Sequence, residues 1–216
     1  MGPVSALETL SGWGRHPVRQ GHVIRPERLA LPAGAAVVVP RGLGRAYGDA
    51  ALPAARDDVV VETVRADRIL AFDEASGRLR GEAGLTLEEI IRVFLPRGWF
   101  PPVTPGTKFV TIGGCVACDV HGKNHHRDGS FGRFVEAITL AIAEGGEVVC
   151  GPDRERELFH ATVGGMGLTG LILDVTLRLT RVESAWIVLE TEGVPDLSAM
   201  VSGLRGAADE GPYTVG

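Results

Sequence analysis

Thr111-Ile112-Gly113-Gly114-Cys115-Val116-Ala117-Cys118-Asp119-Val120-His121-Gly122-Lys123-Asn124-His125-His126 gathers a diglycine, two thiols, three imidazoles, an ammonium and a carboxylate into one short stretch. Glycine carries no Cβ, so a Gly-Gly pair lets the backbone approach a ligand closely. Imidazole and ammonium groups beside it handle protons and negative charge. A segment with only a structural task rarely needs all of these together. It reads as a short helix from about Gly113 and a loop after His121, and the fold around it is expected to build a site from backbone loops.

Immediately upstream, Pro101-Pro102-Val103-Thr104-Pro105-Gly106 is a rigid, turn-rich loop. Before it, Thr86 as N-cap and Glu89 three residues on form a capping box. Leu87, Ile90, Ile91 and Phe94 keep the helical period, and Pro96 with Gly98 ends the helix. Ala36–Val39 and Val59–Val61 read as buried strands. Ile69–Asp73 and Arg78–Glu82 flank Ala75-Ser76-Gly77 as a hairpin, and Val135–Ala143 and Glu147–Cys150 flank Glu144-Gly145-Gly146 as a second. Downstream come a short helix over Glu155–Thr162, strands over Leu171–Thr180 and Trp186–Thr191, and a helix over Leu197–Ala208. Residues 1–35 read as irregular. Strands and helices mix without βαβ regularity, so the expected class is α+β rather than a doubly wound sheet.

Composition narrows the function classes. The chain has 216 residues and a hydrophobic content of 44%, enough for a sizeable core. Net charge is −5 with Lys and Arg scattered, which argues against nucleic acid as a partner. No apolar run reaches the roughly 20 residues of a membrane span. The N-terminus lacks the basic-then-apolar pattern of a signal peptide. Three cysteines are an odd number and fit a reducing compartment. The 30 glycines are about twice the usual share of roughly 7%, and their clustering points to loops shaped around a ligand.

Three glycine loops stand out: Arg41–Gly48, Pro105–Gly114 and Gly164–Gly170. Each can offer backbone N–H groups to an anion, in a nest or at a helix N-terminus. Arg41 and Arg45 add guanidiniums able to pair with phosphate. One such loop alone is no more than a tight turn after a strand; three in one domain point to a dinucleotide. Gly42, Gly44 and Gly48 are spaced wrongly for Gly-x-Gly-x-x-Gly inside a βαβ unit, and no Walker sequence is present. Cys115 and Cys118 could form a redox pair or half a zinc site with His121 and His125. No second Cys-x-x-Cys exists, however, so no metal is expected, and a c-type haem fails because Asp119 follows Cys118. Cys115 and Cys150 read as buried packing.

At these residues the chain resembles flavoproteins of the vanillyl-alcohol-oxidase superfamily. Pro40-Arg41-Gly42-Leu43-Gly44-Arg45-Ala46-Tyr47-Gly48-Asp49 is similar to their pyrophosphate loop, and Pro105–Gly114 to their second flavin loop. Cys118–His126, Gly129-Ser130-Phe131-Gly132, Ala161–Gly170 and Leu10–Arg15 resemble the decaprenylphosphoryl-β-D-ribose 2′-oxidase family more specifically. The resemblance covers about residues 10–182, with the motifs in order. It implies a PCMH-type FAD-binding domain of two α+β lobes over 1–182, followed at 183–216 by the truncated start of a substrate or cap domain. It implies that Pro40 to Ala50 wrap the FAD pyrophosphate, and that Gly106, Thr111, Ile112, Gly113 and Gly114 line the flavin. Cys118, Asp119, Val120 and His121 would face the isoalloxazine or ribityl chain, and Ile172 the adenine end. Many sugar oxidases of the superfamily tether the flavin to a histidine in the first loop; here Arg45 stands at that position, so FAD is expected to be non-covalent. The stretch between Arg25 and Val37 is shorter than the family's.

The implied activity is oxidation of a sugar or polyol hydroxyl, most like 2′-oxidation of decaprenylphosphoryl-ribose for cell-wall arabinan. The substrate would be a sugar or polyprenyl-phosphate sugar, with a short-chain dehydrogenase as partner for epimerisation. The setting would be cytoplasmic, with membrane association through a lipid-linked substrate. His121, Lys123 and Tyr47 are the expected catalytic residues: the imidazole and ammonium for the substrate and flavin, the phenol for either. For His125 and His126 a solvated loop and a functional role both stand. The alternative for the whole chain is an FAD-binding fragment or non-catalytic flavin-binding module lacking its substrate domain.

Overall fold

The computed structural model describes residues 5–216. Its first sheet comprises β1 (Ala6–Ser11), β2 (Val18–Ile24), β3 (Val38–Arg41) and β4 (Val59–Glu62) in the order β1-β2-β4-β3. β1 and β2 pair antiparallel from Ala6↔Val23 to Ser11↔Val18, whereas β2 and β3 both run parallel to β4. Pro40 lacks an N–H and sits in β3, an edge strand, where no ladder bond is lost.

The hairpin β1–β2 corrects the expectation of an irregular segment over 1–35, of which residues 1–4 lie outside the described residues. Exposed Thr9, Arg19 and Gln20 hide the alternation that marks a strand. What makes β2 a strand is β4, against which Val23 and Ile24 become buried.

The second sheet is antiparallel, in the order β5-β6-β10-β8-β9. Its strands are β5 (Ile69–Asp73), β6 (Arg78–Glu82), β8 (Val135–Ala141), β9 (Glu147–Cys150) and β10 (Leu171–Arg178). Both predicted hairpins are present in it. A small pair joins β7 (Trp99–Phe100) to β11 (Thr180–Arg181). The arrangement of two sheets with helices set against them is α+β.

α1 (Leu87–Phe94) starts where the capping box puts it, with Thr86 Oγ1 accepting from Glu89 N at 3.1 Å. Pro96 lies in a following 3-10 turn, and Gly98 ends it in the left-handed region at φ 78°. The apolar stripe Leu87, Ile90 and Phe94 is buried with α2 (Ile112–Ala117) against Leu79, Ile138, Val175 and Leu177 of the second sheet. Cys115 and Cys150 belong to this core, and burial pushes the Cys115 thiol far up, so it stays protonated. A separate cluster of Ile24, Val61, Ala141 and Leu171 joins the two sheets, with Leu29, Leu31 and Val38 around it. Two short helices, α3 (His125–Asp128) and α4 (Arg156–Thr162), precede the last one.

Trp186–Thr191 was expected as a strand and is not one: 183–196 carries no regular element. Trp186, Ile187, Val188 and Leu189 are 73–90% exposed. The run has strand propensity, but no neighbouring strand among the described residues completes its hydrogen bonds. α5 (Leu197–Glu210) follows, and Asp196 Oδ1 caps it by accepting from Ala199 N at 2.8 Å.

Two outcomes follow from this packing. Ile90→Ala, which empties a fully buried position, is expected to cost about 2–5 kcal/mol in urea unfolding of the apoprotein. Hydrogen bonds from Arg25 and Arg68 hold Glu8 and Glu82 below the usual carboxylate range. Their contribution is therefore complete above the unfolded-state value of about 4.3 and is lost as pH falls through the lower folded values. The thermal midpoint should drop from about pH 4.3 downward. In Glu82→Gln, whose side chain does not titrate, that drop should be shallower.

Candidate functional site

Three loops from different parts of the chain converge on one cavity of about 1180 Å³. β3 delivers the first, residues 42–51; the second ends in α2; the third, Met166–Gly170, runs into β10. The first two touch directly. A Cβ on Gly42 would stand 2.3 Å from Thr111 Oγ1, the N-cap oxygen of α2. At Gly44 the backbone has φ +67°, and a Cβ would stand 2.2 Å from Arg41 Nη2. The loop can close this tightly only because both positions lack a side chain.

The amides of this first loop are free. Among the described residues, no backbone N–H from Gly42 to Ala51 donates to another protein group, although the carbonyls of Ala46, Asp49 and Ala51 accept. Consecutive unpaired N–H groups lining a concavity form an anion nest. The second loop differs from expectation in this respect. At the start of α2, Ile112 N donates to Leu85 O (2.8 Å), Gly113 N to Ala83 O (2.9 Å) and Gly114 N to Thr111 Oγ1 (3.3 Å). That helix terminus is satisfied within the protein, whereas the amides of 42–51 are not.

Most of the sequence-predicted residues meet at the cavity: Pro40 to Ala50, Gly106, Thr111, Gly113, Gly114, Cys118, Val120, His121, Lys123 and Ile172. Two do not. The Ile112 side chain is fully buried in the core beneath the second sheet. Asp119, at φ +40°, turns its carboxylate away to accept from Ser130 Oγ (2.7 Å) and Gly132 N (2.8 Å). It pins that loop beside His121, whose backbone bridges Ser130.

The diglycine divides its tasks. A Cβ on Gly113 would meet the Ala83 Cβ at 2.8 Å, so this glycine serves packing of α2 on the chain after β6. Gly114 borders the cavity with only Thr111 Oγ1, at 3.1 Å, close to where its Cβ would be.

His121 and Lys123 are exposed on the cavity wall, and Tyr47 is 87% exposed at it. His125 and His126, for which two readings stood open, line the same wall. The His121 and His125 ring centroids are 5.6 Å apart, and those of His125 and His126 6.0 Å. Cys118 is half-buried there, and burial raises its thiol pKa. Among the described residues no group of three or more His, Cys, Asp or Glu is arranged to hold a metal.

Sequence reading missed Trp13, on which the Arg45 guanidinium stacks at 5.5 Å, and Thr63, Met166 and Leu171. It also missed Val201, Leu204 and Arg205 of α5, which close one side. The glycine loop at 164–170 signalled Met166 and the motif Leu10–Arg15 contains Trp13; nothing local signals the others.

Residues 28–151 match the family model of the FAD binding domain. The chain belongs to this family. It is 37% identical, over 97% of its length, to the decaprenylphosphoryl-beta-D-ribose oxidase of Mycolicibacterium smegmatis, covering 47% of that protein. It is 25% identical over 66% of its length to the D-lactate dehydrogenase of Anaerostipes hadrus, covering 32% of it. The chain thus spans about half the length, or less, of these curated relatives. In fold it is similar to alkyldihydroxyacetonephosphate synthase, with a TM-score of 0.65 at 16% identity, covering 76% of this chain and 32% of that one. The cofactor of the domain is FAD, and the cavity fits it. The free amides of residues 42–51 suit a pyrophosphate, and Gly114, Cys118 and Val120 leave one wall open for a flat ring system.

Gly44→Val should weaken FAD binding about tenfold or more, since strain at a left-handed position costs of order 1–3 kcal/mol. Fluorescence titration of FAD onto the apoprotein reads this, with Gly193→Ala as control because that glycine has no left-handed backbone and nothing around it.

Proposed function

We propose that the protein oxidises a hydroxyl of a sugar or polyol with non-covalent FAD, and that its substrate is a polyprenyl-phosphate-linked sugar of the decaprenylphosphoryl-ribose type. One observation carries the reading. The exposed imidazole of His121 and ammonium of Lys123 lie on the wall of the same cavity that holds the free amides of residues 42–51. The similarity to decaprenylphosphoryl-beta-D-ribose oxidase runs across that whole region.

FAD, when bound, supplies the two-electron acceptor for an alcohol carbon. The chain's own groups supply position and charge. His121 takes the hydroxyl proton in this reading. Lys123 meets the phosphate or the sugar oxygens, or the negative charge that gathers on the reduced cofactor. The Tyr47 hydroxyl supports either partner. His125 and His126 extend the same polar wall. Arg45 cannot form a covalent tether to the cofactor; its guanidinium is stacked on Trp13.

Residues 1–182 form the FAD-binding domain in this reading, and 183–216 belong to a region covering the substrate. Supporting this, Val201, Leu204 and Arg205 border the cavity, and Thr214 N donates to Lys123 O at 3.1 Å. No helix of the described residues is long and apolar enough to cross a membrane. A short-chain dehydrogenase reducing the keto product would complete an epimerisation toward arabinan precursors.

Anaerobic addition of a soluble polyprenylphosphoryl-ribose analogue should bleach the flavin absorbance. His121→Ala should slow bleaching by about 10²–10⁴-fold, the usual worth of a positioned general base. Lys123→Ala should mainly raise the substrate concentration required. Acid denaturation should release all the flavin into the supernatant. Flavin that stays oxidised with this substrate and with alditols would support a non-catalytic FAD-binding module instead.

A further inference from the structure

Arg41 is 8% exposed, yet its guanidinium touches no catalytic group. Nη2 donates to Ser11 O at 2.8 Å and Nη1 to Ala51 O at 3.1 Å. Nε lies 3.3 Å from Glu62 Oε1, an ion pair without hydrogen-bond geometry. The side chain thus spans the base of the loop from its first residue to its last and ties both ends to β1. Gly44 arches over the guanidinium so closely that a Cβ there would overlap Nη2. Arg41 therefore takes carbonyls at the base of the loop, while the N–H groups of 42–51, residues that line the cavity, remain unpaired.

The charge on Arg41 is only partly neutralised, because Glu62 is shared. Its Oε2 accepts from Arg25 Nε at 2.5 Å, and Arg25 in turn donates bidentately to Glu8 at 2.6 and 2.7 Å. The ladder Glu8–Arg25–Glu62–Arg41 carries two positive and two negative charges, with its positive end beneath the loop. Burial draws the Arg41 guanidinium below its usual pKa, with Glu62 opposing, and an arginine stays charged throughout.

We infer that Arg41 is the positioning residue of the anion nest: from inside the loop it sets the outward orientation of the amides of 42–51 and places a buried positive charge behind them, without contacting the pyrophosphate itself. The inference rests on the FAD reading and changes the expected task of Arg41 from direct phosphate partner to internal clamp. Arg45, exposed on the far side of the same loop, keeps the direct role.

The test uses the apoprotein of the full chain and measures affinity for FAD and for ADP, which shares the pyrophosphate. Arg41→Ala is expected to weaken both by about tenfold or more, as loss of charge-assisted hydrogen bonds implies. Millimolar guanidinium should partly restore binding by filling the vacated space, and methylammonium should not. A purely structural role would show as a lower thermal midpoint of the apoprotein without that selective rescue. Arg41→Lys provides the second variant should Arg41→Ala not fold. It keeps the charge but cannot reach both Ser11 O and Ala51 O, so it should also bind FAD more weakly than wild type. Wild-type affinity in Arg41→Lys, or in a folded Arg41→Ala, overturns the inference while the wild-type chain binds FAD. A wild-type chain that takes up no FAD overturns both the inference and the reading beneath it.

Discussion

Ile24 and Val61 of the first sheet pack on Ala141 and Leu171 of the second, and the site depends on this seam. The loop carrying the free amides leaves β3 in one sheet. The loop at 166–170 enters β10 of the other at Gly170, where a Cβ would stand 2.6 Å from Ala141 O. α2 lies against the second sheet, yet its cap Thr111 touches Gly42 from the first. The cavity is therefore a property of the joint between sheets. Burying each large aliphatic side chain of the seam contributes about 1.5–3 kcal/mol, which fixes loops that have little apolar surface of their own.

The site divides its chemistry between backbone and side chains. Residues 42–51 bring unpaired backbone N–H dipoles to the cavity. His121, Lys123, His125 and His126, in and just before α3, bring ring and ammonium groups to the same wall. Asp119 links the two tasks: its strained backbone and two accepted hydrogen bonds set the turn from which His121 projects. A chain of net charge −5 thus lines this cavity with Arg, Lys and His side chains and with unpaired backbone dipoles.

Elements whose signals are local were readable before the structure. The capping box at Thr86 and Glu89, the turns at Ala75-Ser76-Gly77 and Glu144-Gly145-Gly146, and the stripe of Leu87, Ile90 and Phe94 each need only neighbours in sequence. Pairing that depends on distant partners was not readable. β1 and β2 have weak alternation and become strands through β4, while Trp186–Thr191 has strong propensity and finds no strand to pair with. The same division holds in the site. Thr63 and the α5 residues Val201, Leu204 and Arg205 carry no motif and reach the cavity only by folding. Ile112 and Asp119 lie within a motif, and their side chains point elsewhere.

By itself the sequence determined the residue types at the site, the three glycine loops, the α+β class and the FAD family, because these are written in composition and in short motifs. Tertiary structure alone decided which groups are free to bind. The amides at the head of α2 are consumed by Leu85, Ala83 and Thr111, and Gly113 serves packing against Ala83. The Arg41 guanidinium is engaged by Ser11 O and Ala51 O. Whether a polar group is available depends on what it already bonds, and apart from the local cap Thr111 those partners lie 10 to 30 residues away in the sequence and meet only when the chain folds.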